Sequence, residues 1–76
     1  MRFEIKPPRE DAGEFCEICS RLKNRGIYVE VSQEGIVVSG SSLIGMLMLD
    51  PEKKTEFMTR QLIPEDDMKQ LEKWKV

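Results

Sequence analysis

The chain of 76 residues contains no histidine, which removes the side chain most used near neutral pH as a general acid or base and as a metal ligand. It has no excess of positive charge either. Its 12 Lys and Arg are scattered among 14 Asp and Glu, for a net charge of −2, so no basic stripe is present to displace counterions from a phosphate backbone. Nucleic acid is therefore not an expected partner. Long apolar runs are also missing: Leu43 to Leu49 is interrupted by Gly45 and falls far short of the roughly 20 apolar residues of a membrane span. The first residues, Met1-Arg2-Phe3-Glu4-Ile5-Lys6, lack the apolar centre of a secretory leader, which sets the expectation of a cytoplasmic protein without a membrane partner.

What is present reads as one small globular domain over residues 1–76, with 39% hydrophobic and 34% charged residues. A chain of this size buries only about 60% of its unfolded surface, so its core is modest. Met1, Phe3 and Ile5 alternate with polar residues as in a half-wet strand, which Pro7-Pro8 ends. Asp11-Ala12-Gly13-Glu14 has capping-box spacing and predicts a helix start. At 100° per residue, Ala12, Phe15, Cys16, Ile18, Cys19 and Leu22 share one arc, and Asn24-Arg25-Gly26 is a stop signal. Ile27, Val29 and Val31 alternate with Tyr28, Glu30 and Ser32. With Gln33-Glu34-Gly35 and then Ile36-Val37-Val38, they predict a hairpin.

A polar turn at Asp50-Pro51 precedes a fourth predicted strand between Thr55 and Leu62. Pro64-Glu65-Asp66-Asp67 then opens a last helix, with proline in its first turn and Met68, Leu71 and Trp74 on one face. The order βαββαβα predicts an α+β domain, a four-stranded antiparallel sheet with helices on one face.

Gly40-Ser41-Ser42-Leu43-Ile44-Gly45-Met46-Leu47-Met48-Leu49 stands out. A serine opens it as an N-cap, yet its apolar residues collect on no single face. About two turns of helix cannot bury every face against one sheet, so some of these side chains are expected at the surface, where an exposed apolar patch marks a binding face. Cys16-Glu17-Ile18-Cys19 raises a second reading, a small thiol redox or metal-handling protein. Two cysteines without histidine make at most half a zinc site, and both lie past the first helical turn on the apolar arc. No cofactor and no bound metal are expected.

The stretch Ser42-Leu43-Ile44-Gly45, the run Gly13-Glu14-Phe15 and the intervening hairpin resemble the histidine-containing phosphocarrier (HPr) family of the bacterial sugar phosphotransferase system. The resemblance covers the whole chain in element order and implies an HPr-like open-faced β-sandwich. Ser42 is similar to that family's regulatory serine, with Ser41 as the neighbouring candidate. Leu43, Ile44 and Leu47 fall where the family docks its protein partners. Counting back from Phe15, the phosphoryl-accepting histidine of the family falls on Pro8, its arginine on Glu10 and its proline on Asp11, leaving Arg9 as the loop's only cation. Pro8 has no nucleophile and Glu10 repels a phosphoryl group, so histidine phosphoryl transfer has no chemistry here. The resemblance thus implies a non-enzymatic regulatory relative, most like the catabolite-repression paralogues that lost the histidine and kept the serine. A serine kinase or a transcriptional regulator is the implied partner, with Arg9 joining Leu43, Ile44 and Leu47 as a partner-binding residue.

Overall fold

The computed structural model describes Met1 to Val76. Its elements are β1 (Arg2–Ile5), α1 (Ala12–Asn24), β2 (Glu30–Gln33), β3 (Ile36–Ser39), α2 (Leu43–Leu47), β4 (Thr55–Met58) and α3 (Glu65–Leu71), the last continued by a 3-10 turn over Glu72–Trp74. The strands form one antiparallel sheet in the order β1-β4-β2-β3. β1 and β2 consequently run parallel on either side of β4, and β3 and β4 run parallel on either side of β2. Helices make both crossovers, α1 joining the first parallel pair and α2 the second. This is the α+β, four-stranded antiparallel arrangement that the element order predicts.

Register explains the core. Phe3 pairs with Phe57, Phe57 with Val31 and Val31 with Val38, so one row of apolar side chains crosses the whole sheet on a single face. Phe3 and Phe57 stack at 4.5 Å between ring centres. From the helix layer, Phe15 meets Phe57 edge-on at 6.3 Å and Trp74 edge-on at 5.1 Å, which ties α1 and the C-terminal turn to the centre of the sheet. The α1 residues Ala12, Phe15, Cys16, Ile18, Cys19 and Leu22 are all buried, as their shared arc predicts. Gly26, at φ +83°, ends the helix. Its N–H bonds Lys23 O and that of Ile27 bonds Leu22 O, both at 2.9 Å, the paired bonds of a Schellman motif. The β2–β3 turn has Glu34 at φ +46° and Gly35 at φ +83°, the left-handed pair of a two-residue hairpin.

Four details depart from the sequence reading. The capping box does not form: Asp11 precedes the helix, but its carboxylate accepts from the Trp74 indole N–H at 3.0 Å, while Glu14 bonds Lys73 at 3.0 Å. Residues 27–29 lie outside β2, because Ile27 is engaged in the α1 stop. β4 ends at Met58, where Thr59 turns the chain by donating its hydroxyl to Gln61 O at 2.7 Å. Pro64 is the residue before α3 rather than one of its first turn. No helix is long and apolar enough to cross a membrane.

The two sheet edges differ. Beside β1, the C-terminal residues add an antiparallel ladder, Lys6 N–H to Trp74 O at 2.8 Å and Val76 N–H to Glu4 O at 3.0 Å. β3 forms the other edge and has no strand beyond it.

Candidate functional site

The region around α2 is built from short-range signals and two long-range hydrogen-bonding anchors, Arg9 and Gln33. Ser42 lies in extended conformation before the helix, and its Oγ accepts the Gly45 N–H at 3.0 Å, satisfying one of the donors that a helix start leaves open. Gly45 is buried because α2 lies directly on β3. A Cβ there would stand 3.1 Å from both the Val38 Cβ and the Ser42 Oγ, so the absent side chain permits the close approach. Met46 and Leu49 plug the core beneath, at 0% and 3% exposed. Ser41 is held apart from the cap, its hydroxyl sharing a 2.9 Å hydrogen bond with that of Ser39.

With Met46 and Leu49 pointing inward, the rest of the apolar stretch faces out. Leu43 and Leu47 are each 47% exposed, Ile44 74% and Met48 76%. Leu43, Ile44 and Leu47 are the residues expected on this face from the sequence, and the exposure of Met48 beside them follows from the same two-turn limit.

Arg9 reaches α2 from the β1–α1 loop. Its Nη1 donates to Leu49 O at 3.2 Å and to Leu47 O at 3.5 Å, placing a guanidinium on the carbonyls that the helix end leaves unpaired. Gln33 fixes the segment after the helix from below. This buried amide donates to Asp50 O at 2.8 Å and to Thr55 Oγ1 at 2.8 Å, and accepts the Asp50 N–H at 2.9 Å, pairing with Asp50 much as a neighbouring strand would. Neither contact carries a local sequence signal, since Arg9 and Gln33 are distant in the chain from the groups they bind.

The loop that holds Arg9 is closed where the resemblance places a phosphoryl acceptor. Pro8 is less than 2% exposed, while Arg9 and Glu10 stand in solvent. Burial would raise the Asp11 carboxyl, but the Trp74 bond, the Arg9 and Asp11 backbone N–H groups and Lys73 outweigh it and hold the group below its ordinary value. This cluster is a structural lock between α1 and the C-terminal turn.

Cys16 and Cys19 are reduced and buried at 7% and 1% exposed. Burial pushes the Cys16 thiol up and the Cys19 thiol to about 12, with Cys16 adding to the latter shift. Both shifts disfavour the thiolate, the form in which a cysteine reacts in redox chemistry. The two cysteines are not joined by further His, Cys, Asp or Glu in a group that could hold a metal ion. Compared with protein-family models and with curated proteins, the chain finds no match in either.

Proposed function

We propose that this chain is a non-enzymatic, HPr-like regulatory module that docks a protein partner through α2, with Ser42 as the residue through which a serine kinase controls it. The observation that carries this reading is the outward display of Leu43, Ile44 and Leu47 on a five-residue helix held at both ends, with Met48 exposed at its C-cap. A small protein has strong reason to bury such side chains, and here the helix is fixed with them exposed. Held by the Ser42 cap, the Arg9 guanidinium and the Gln33–Asp50 pairing, this surface loses little conformational freedom when a partner binds.

Ser42 lies half-buried at the N-terminal end of this surface. A phosphate on its Oγ would bring about −1.5 to −2 charge beside the apolar face, disfavouring an apolar partner and favouring one that offers arginine. The fold is compatible with the HPr family, and the buried proline at position 8 accords with a member that has given up phosphohistidine transfer. The test is incubation with an HPr serine kinase and ATP, followed by mass spectrometry. One phosphate is expected on the native chain and none on Ser42→Ala. An unmodified native chain would overturn the regulatory role, and phosphate retained on Ser42→Ala would move the site to another serine, Ser41 first.

A further inference from the structure

The residues from Gly35 to Leu49, which include β3 and α2, carry no charge in a chain where 34% of residues are charged. Edge strands in soluble proteins are ordinarily protected by lysine, proline, a bulge or a covering segment. β1 has its cover in the C-terminal ladder. β3 has none of these: its register with β2 is continuous, and it contains only Ile36, Val37, Val38 and Ser39. Ile36 and Val37 are 57% and 58% exposed.

Gln33 and Ile36 flank the two-residue turn as a hydrogen-bonded pair, so by antiparallel alternation the N–H and C=O of Val37 point away from β2 toward the open edge. We propose that this edge pairs with the same edge of a second copy, forming a two-fold dimer with a continuous eight-stranded sheet. The proposal rests on the reading of α2 as a docking face and names one occupant of it.

The strand suits this partner. With Val37 on the two-fold axis, the pairs are Val37 with the other copy's Val37 and Ile36 with the other copy's Val38, apolar against apolar, and Ser39 opposes the other copy's Gly35, with no like charges opposed. Because α2 lies on Val38, the same operation brings the two α2 helices side by side over the joined strands. Ile36 shares the sheet face of Val38, so it and the exposed Leu43, Ile44, Leu47 and Met48 line the helix side of this interface, while Val37 meets its counterpart on the opposite face.

The test is sedimentation velocity on the native chain and on Val37→Lys from about 10 μM to about 1 mM, a range spanning weak to moderate self-association. The native chain should move toward twice its 8.8 kDa mass with concentration, and Val37→Lys should weaken the association at least about tenfold. The Val37 side chain stands at an exposed position, and circular dichroism checks that the variant keeps its fold. In a mixture of isotope-labelled and unlabelled native chains, filtered NOEs should connect Ile36 to Val38 across the axis. A native chain that stays monomeric throughout overturns the proposal, as does a dimer unaffected by Val37→Lys. Kinase modification of a monomeric native chain would leave the docking reading standing while this one fell.

Discussion

Arg9 and Leu49 are joined across the molecule: the guanidinium of one, in the loop after β1, donates at 3.2 Å to the main-chain carbonyl of the other, just past the end of α2. The loop that resembles a former phosphoryl site and the helix that resembles a docking site are thus one mechanical unit. Replacing Arg9 by alanine should cost about 0.5–1.5 kcal/mol and raise amide hydrogen exchange at Met46, Met48 and Leu49 more than in β2. Uniform loss of protection across the chain would contradict this local role.

The Ser42 cap should respond to substitution in a graded way. Ser42→Ala is expected to lower stability by about 1 kcal/mol and Ser42→Gly by only a few tenths, because without a β-carbon at the N-cap water can take the place of the hydroxyl at the Gly45 N–H. Urea midpoints of the two variants measure the difference. Equal losses would show that the hydroxyl acts through something other than the cap.

Gln33→Leu keeps the volume of the buried side chain but removes every hydrogen bond it makes. The Asp50 main chain and the Thr55 hydroxyl lose their shared partner, at an expected cost of about 1–3 kcal/mol in the urea transition. A neutral result would show that water replaces the amide.

Those contacts mark the boundary of what was legible from sequence. The buried arc of α1, the hairpin, the stop at Gly26 and the outward display on α2 all follow from local periodicity, turn chemistry and helix length. Asp11 illustrates the failure: its spacing to Glu14 fits a capping box, but Trp74 and Lys73, brought close only by the fold, take both carboxylates. Arg9 and Gln33 likewise bind main-chain groups, which leave no pattern in side-chain identity. At Ile27 and Thr59 the alternation that predicts strand yields to a helix stop and a turn.

The thiols give a pH dependence of defined sign. Cys19 is held to about 12 when folded, against 9.0 ordinarily, so above pH 9 the unfolded chain releases protons that the folded chain retains. Its contribution to stability is fully present below pH 9 and is lost as pH rises toward 12. Denaturant unfolding of the native chain and Cys19→Ala across that interval should show a shallower decline in the variant. Alkylation below pH 9 should run slower than for free cysteine, and a faster reaction would restore the redox reading.

The central claim is that the exposed side chains of α2 serve binding rather than folding. Ile44, 74% exposed, separates the two. Calorimetric titration of an HPr serine kinase with the native chain and with Ile44→Lys, alongside urea unfolding of both, tests this most directly. The account predicts that Ile44→Lys changes stability by no more than about 0.5 kcal/mol yet weakens kinase binding at least about tenfold. Equal binding by the two chains, or no binding by the native one, would contradict it.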